Sequence, residues 1–329
     1  MADGTEGAPW RRPAHEGPDS PYDGIPLDDP FRSTGSGQAT GSGQAGDYRT
    51  LTYEVDGRVA RITFNRPEQG NSITPDTPVE LAAAVERADL DPRVHVIVVS
   101  GRGKGFCGGY DLTAFAEQAI PNHDPAKTWD PMVDYAMMSR FTKGYASLLH
   151  ADKPTVAKIH GFCVAGGTDI ALHCDQILIA ADAKIGYPPT RVWGVPSAGL
   201  WAHRLGDQRA KRLLLTGDCL SGREAAEWGL AIEAPDPDRL DERTEILVQR
   251  IAAMPINQLM MVKLALNSAL LAQGVETSRM ISTVFDGISR HTREGYSFAA
   301  RAAEAGFKQA VRERDAAPYD DFGPSTNKG

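Results

Sequence analysis

Two stretches of this chain share one grammar, and together they constrain the fold more than any other feature. In the first, the run Val94-His95-Val96-Ile97-Val98-Val99-Ser100 reads as a buried parallel strand. It is followed by Gly101-Arg102-Gly103-Lys104-Gly105-Phe106-Cys107-Gly108-Gly109-Tyr110-Asp111, a glycine-rich turn into a helix that starts near the Asp. In the second, Thr155 to Ile159 is the buried strand, Gly161 breaks it, and Gly166-Gly167 open a short helix with Asp169 in its first turn. A glycine at the mouth of a helix leaves its backbone N–H unshielded, at the end where the helix dipole favours negative charge. Two such units in one chain suggest two backbone donors converging on a single carbonyl oxygen.

The two stretches resemble the two signature segments of the crotonase family, the enoyl-CoA hydratase/isomerase superfamily. The resemblance implies an α/β fold, in which repeated ββα turns form a spiral core and a C-terminal helical region covers the active site and forms trimers, often stacked as hexamers. It also implies that the N–H groups of Tyr110 and Gly166 hold the thioester oxygen of an acyl-CoA, with Gly108, Gly109 and Gly167 completing the two binding loops. Asn65-Arg66-Pro67 resembles the family's Asn-Arg-Pro turn, and Arg293-Glu294-Gly295-Tyr296-Ser297 followed by Gly306-Phe307-Lys308 keeps its spacing near the C-terminus. By analogy Phe307 and Lys308 lie against the CoA nucleotide, and Lys104, Arg66 and Lys308 are candidates for its phosphates, against the plainer reading of solvated surface charges. The resemblance covers about residues 48 to 312. Coenzyme A enters as part of the substrate, and no separate cofactor is expected.

Asp169 stands where the family's hydratases usually carry a Glu that acts as general acid and base; the plainer reading is an Asp that satisfies first-turn N–H groups. The second hydratase carboxylate is missing, because the family's spacing from Gly186 to Pro196 puts Pro189 at its position, and a proline side chain neither gives nor takes a proton. Tyr187 and Arg191 flank that position and could orient the substrate instead. His173, four residues beyond Asp169 on the same helix face, either tunes its pKa or is a buried core histidine. Two functions stay open: a hydratase or isomerase that moves a proton with Asp169 through a thioester enolate, and an acyl-CoA-binding protein that lost hydratase chemistry with Pro189.

Elsewhere the chain supplies the frame. Of its 329 residues, 1–46 are rich in Pro, Gly, Ser and Asp and are expected to form a disordered tail. Residues 47–245 are expected to form the spiral core for acyl-CoA binding and catalysis, and 246–329 the helical region that covers the site and oligomerises. Leu51 to Val55 and Val59 to Phe64 alternate as two strands joined at Asp56-Gly57, a hairpin signal. A helix is expected from Thr77 to Ala88 with Val79, Leu81 and Val85 on its apolar side, and another from Leu112 to Gln118. Ile120 to Pro131 is longer than the family's usual loop, so Met132, Asp134, Tyr135, Met137 and Met138 could shape the acyl pocket, although ordinary core Met is the plainer reading. Ser221-Gly222-Arg223-Glu224 is a capping box, and Val284 and Ile288 continue a helical apolar period.

Gly103 to Gly108 also satisfies GxGxxG, yet it does not open the chain's first βαβ unit and lacks the strand-terminal acid, which argues against a dinucleotide fold. A net charge of -8 argues against nucleic-acid and anionic-surface partners. The 4 cysteines show neither a CxxC pair nor zinc spacing, so no metal is expected. No signal core opens the chain and no apolar run is long enough to span a membrane, so a cytoplasmic protein is expected.

Overall fold

A computed structural model describes residues 48–113, 115 and 122–316. The tail expected at 1–46 and most of the helix expected at 112–118 lie outside the described residues. The hairpin forms as its alternation requires: β1 (Leu51–Asp56) pairs antiparallel with β2 (Val59–Phe64), and Gly57 takes the positive φ of 57° at the turn. After α1 (Asp76–Leu90), β3 (Val96–Gly101) joins β2 in parallel; after α2 (Pro131–His150), β4 (Thr155–Ile159) joins β3. β5 (Phe162–Val164) then leaves this sheet, α3 (Gly166–His173) follows, and β6 (Gln176–Ile179) returns to pair with β4. The result is a five-stranded sheet in the order β1-β2-β3-β4-β6. Strands are added in one direction, without the reversal at which a doubly wound sheet binds dinucleotides, so the GxGxxG match has no such fold around it.

β5 begins a second, three-stranded sheet with β7 (Lys184–Gly186) and, after α4 (Ala198–Leu205) and α5 (Asp207–Leu214), β8 (Cys219–Ser221). The chain passes between the sheets at Gly161, whose φ is 60° and whose added Cβ would lie 1.9 Å from the Lys104 carbonyl oxygen. Both strain and collision therefore oppose a side chain there. Gly161→Ala is expected to lower stability by more than about 3 kcal/mol, read as a shift of the denaturant midpoint; an unshifted midpoint would show that the two glycine loops are not in this contact.

α1 buries Pro78, Leu81, Ala84, Val85 and Ala88, a three-and-four-spaced stripe. Val79 falls beside that stripe and is exposed, contrary to the expectation from its apolar character. α6 (Gly222–Glu227) opens on the expected capping box: the Ser221 hydroxyl accepts from the Glu224 N–H at 3.2 Å, and Glu224 accepts from the Ser221 N–H at 2.8 Å. α7 (Leu240–Ala252) runs unbroken through the 245/246 division drawn from the sequence. α8 (Ile256–Ala272), α9 (Val275–Arg290), α10 (Arg293–Ala305) and α11 (Phe307–Asp315) complete the chain. α9 packs on α2 and α4, while Phe298, Ala302 and Ala310 of α10 and α11 form a small apolar cluster with Leu112, Trp193 and Phe307. The four cysteines are buried and free. Among the described residues no helix is long and apolar enough to cross a membrane.

Candidate active site

The two glycine loops lie side by side because the strands that carry them, β3 and β4, are neighbours. Backbone bonds seal the contact: the Phe106 N–H donates to the Phe162 carbonyl at 2.9 Å, and the Val164 N–H donates to the Cys107 carbonyl at 3.0 Å. Asn71, at φ 54°, braces the first loop by donating from Nδ2 to the Arg102 and Gly105 carbonyls, both at 2.9 Å.

The directions of two N–H groups follow from where their neighbouring carbonyls go. The Gly109 carbonyl accepts from the Ile73 N–H at 2.8 Å. A trans peptide sets carbonyl and N–H on opposite sides, so the Tyr110 N–H points away from Ile73. The Ala165 carbonyl accepts from the Thr168 N–H at 2.9 Å, along the axis of α3, so the Gly166 N–H points out of the helix N-terminus. The two backbones touch: a Cβ added to Gly109, whose φ is 94°, would sit 2.6 Å from the Ala165 Cβ and 3.4 Å from the Gly166 nitrogen. Gly167 is turned away from the ligand side, since its added Cβ would meet the Cys107 carbonyl at 2.5 Å. It packs α3 on the first loop; of the four glycines expected at the site, Gly108 is a wall of the cleft described below, and Gly109, Gly166 and Gly167 lie in the backbone behind it.

Beside these donors runs a cleft of about 580 Å³, within the range of small-molecule sites. Gly108, Tyr110, Tyr187, Pro189, Phe307 and Lys308 line it. Lys184 does too, an exposed cation the sequence gave no reason to single out. Two expected binding residues are committed elsewhere. Arg66 donates to the Ser72 carbonyl at 2.6 Å, the Ser72 hydroxyl at 3.0 Å and Asp111 at 2.9 Å, tying its turn to the first loop. Arg191 donates to the Thr216 carbonyl and to Asp315, both at 3.1 Å, and lies 3.5 Å from Asp218. Lys104 is exposed on its loop and is not a wall of the cleft.

Asp169 lines a second, much smaller chamber of about 10 Å³, which shares Tyr110, Met138, Tyr187 and Asp286 with the cleft as walls. Its side chain is almost fully enclosed, at 4% exposure. Burial pushes its pKa up to about 7, against the pull of hydrogen bonds from Ser197, whose N–H reaches Oδ1 at 2.9 Å; Asp286 pushes it further up. His173 does not touch that carboxyl. Its Nδ1 lies 2.6 Å from the Asp169 backbone carbonyl, and burial lowers its pKa to about 4, so it is a neutral core histidine.

Asp286 was not legible in the sequence. It sits on α9, where Oδ1 accepts from the Val195 N–H and Oδ2 from Arg290, both at 3.1 Å. Burial raises its pKa, and Arg290 opposes the shift. α9 buries Ser282, Thr283, Asp286 and Gly287 while Met280, Ile281, Val284 and Phe285 are exposed, the reverse of what apolar period suggests for Val284. Asp134, a candidate for the acyl pocket, is instead bound by Trp129 Nε1 at 2.5 Å and by Asn122 Nδ2 and His291 Nε2 at 2.9 Å. Met137 and Met138 do line the cleft, whereas Tyr135 does not and Met132 is exposed.

The sequence profile of the family described as enoyl-CoA hydratase/isomerase matches residues 54–309. The crystal structure of an enoyl-CoA hydratase from Mycobacterium smegmatis aligns with a TM-score of 0.78 and 71% identity, covering 81% of this chain and 93% of that one. A protein of Rhizobium meliloti (strain 1021) named as a probable enoyl-CoA hydratase is 32% identical over 240 residues, 71% of this chain and 88% of that protein. The 1,2-epoxyphenylacetyl-CoA isomerase of Escherichia coli (strain K12) is 30% identical, over 67% of this chain and 82% of its own length.

Proposed function

The chain belongs to the enoyl-CoA hydratase/isomerase family and has its crotonase fold, and from that membership we propose how its site acts on an acyl-CoA thioester. The thioester lies in the cleft with its carbonyl oxygen between the N–H groups of Tyr110 and Gly166. As the α-carbon loses a proton, or a nucleophile adds to the β-carbon of an enoyl ester, negative charge grows on that oxygen, and two donors already aimed at it stabilise the enolate until the α-carbon is protonated. Each such donor contributes about 3 to 4 kcal/mol in comparable sites. Asp169 moves the proton. The observation that carries this reading is the pair of committed carbonyls, Gly109 to Ile73 and Ala165 to Thr168, which leave the two following N–H groups directed outward on touching backbones. Lys184 and Lys308, with the ring of Phe307, suit the phosphates and nucleotide of CoA.

Pro189 on the cleft wall favours a second reading, an acyl-CoA-binding protein without turnover. Incubation of the protein with crotonyl-CoA and longer 2-enoyl- and 3-enoyl-CoAs, in water and in deuterated water, separates the two. A water adduct, double-bond migration or α-deuteration supports the enzyme; an ester that binds and returns unchanged supports the binding protein. The exposed apolar side chains of α8 and α9, among them Met261, Leu266, Met280 and Phe285, support self-association as a trimer or a dimer of trimers.

The elevated pKa of Asp169 sets a pH dependence. The chamber it faces also holds Tyr110 from the first loop, Tyr187 after β7 and Asp286 from α9, with Arg290 beside Asp286. As the base for an α-proton Asp169 must be ionised. Exchange of the α-hydrogens of butyryl-CoA in deuterated water is therefore expected to rise about tenfold per pH unit up to about 7 and to level off above it. A rate that stays flat from pH 5 to 8 would exclude Asp169 as that base.

A further inference from the structure

We infer that Asp286 is the second acid–base carboxylate of this site, and that Asp169 and Asp286 hold between them the water added to or removed from the β-carbon of an enoyl-CoA. The inference rests on the thioester reading above and specifies its reaction as hydration.

Three observations carry it. The chamber that Asp169 and Asp286 both line has a volume of about 10 Å³, close to the least that admits one water. Its other walls include Thr142, Ser197, Ser282 and Thr283, so a water there meets the several polar partners it needs. Asp286 is also a wall of the substrate cleft, which places a carboxyl where both the water and the acyl chain are in reach. Pro189, at the position where the family's hydratases carry their second carboxylate, supplies none.

The setting of Asp286 suits the base rather than the acid. The Val195 N–H and the Arg290 guanidinium, both at 3.1 Å, favour its ionised form and fix its orientation. Arg290 is itself backed by Asp134 at 3.6 Å. Burial raises the pKa of both carboxyls, but Asp169, unlike Asp286, has no cationic partner among the described residues to hold it ionised. Environments that separate two carboxyls in this way assign acid and base.

The step balances. Asp286 takes a proton from the water as the water oxygen bonds to the β-carbon. The π pair of the double bond moves into the thioester enolate held by the Tyr110 and Gly166 N–H groups. Protonated Asp169 then gives its proton to the α-carbon as the enolate collapses. One water is consumed, no electrons leave, and the proton now on Asp286 returns to Asp169 through the next water in the chamber. Dehydration is the same path reversed.

The test uses the whole protein, its Asp286→Asn and Asp286→Glu variants, and two probes. Hydration of crotonyl- and trans-2-octenoyl-CoA is followed in ¹⁸O-water, and α-hydrogen exchange of butyryl-CoA is followed in deuterated water. Exchange needs the two donors and Asp169 but no held water, and so reports that each variant is folded and competent. Asp286→Asn is expected to lower hydration by at least about 100-fold more than it lowers exchange, with partial recovery in Asp286→Glu. Equal loss of both reactions would mark Asp286 as structural, and hydration near the wild-type rate would show that the water is held elsewhere. Wild-type protein that exchanges but never hydrates either enoyl ester would overturn the inference and leave the thioester reading standing. Wild-type protein that does neither and binds no CoA ester would overturn that reading itself.

Discussion

Replacing Asp169 by Asn is expected to lower turnover of a 2-enoyl-CoA by about 1,000-fold, inside the range of general acid–base catalysis, while the affinity for the CoA ester changes only a few-fold. The change is nearly isosteric, and the amide oxygen still accepts from the Ser197 N–H that now holds Oδ1. The fold therefore loses little. It should in fact gain stability above neutral pH. A carboxyl whose proton affinity rises from an ordinary 3.8 in the unfolded chain to about 7 in the folded one stabilises the fold below the lower value and loses that contribution as pH climbs through the upper one. The cost at pH 8 is on the order of 4 kcal/mol, which an uncharged Asn avoids. A variant that turns over normally, or that melts well below the parent at pH 8, would make Asp169 a structural residue.

Gly166→Val should remove turnover altogether in a chain that still folds, a loss beyond about 1,000-fold when followed with the same ester. A Cβ at this position would lie 2.8 Å from Ile73 Cδ1 and 3.0 Å from Tyr110 Cε2. The branched side chain thus crowds the Gly166 N–H and pushes on Tyr110, whose backbone carries the other donor. Loss of one donor alone costs about 100- to 1,000-fold, and displacement of the second adds to it. Gly166→Ala, with the same Cβ and nothing beyond it, should retain more activity than the valine variant. Full activity in a folded Gly166→Val protein would sink the assignment of this N–H.

What the sequence made legible is local. Both glycine loops, the exit of β4 at Gly161 and the Ser221 capping box depend on residues within a few positions of one another, and each formed where its pattern placed it. Charges were harder to read, because an exposed cation and a paired one look alike in a string. Arg66 resembled a free phosphate ligand and Arg191 a substrate-orienting cation until Asp111 and Asp315, 45 and 124 residues away, were seen against them. Lys308 and Phe307 were found only through the family resemblance. Asp286 was hidden by the rule that a helix buries its apolar face: α9 turns Ser282, Thr283 and Asp286 inward to the chamber, and its apolar residues are left outside.

The placement of the chamber's last wall on α9 gives the site a timetable. Asp169 and Asp286 are separated by 286 − 169 = 117 residues. At translation rates of about 5 to 20 residues per second, that interval is roughly 6 to 23 seconds. Both glycine loops and Asp169 are synthesised before it begins, and β8 and α6 to α8 emerge during it. A nascent or truncated chain that ends before α9 therefore carries both glycine loops and Asp169 without Ser282, Thr283 and Asp286, and the chamber is enclosed only once α9 docks on α2 and α4.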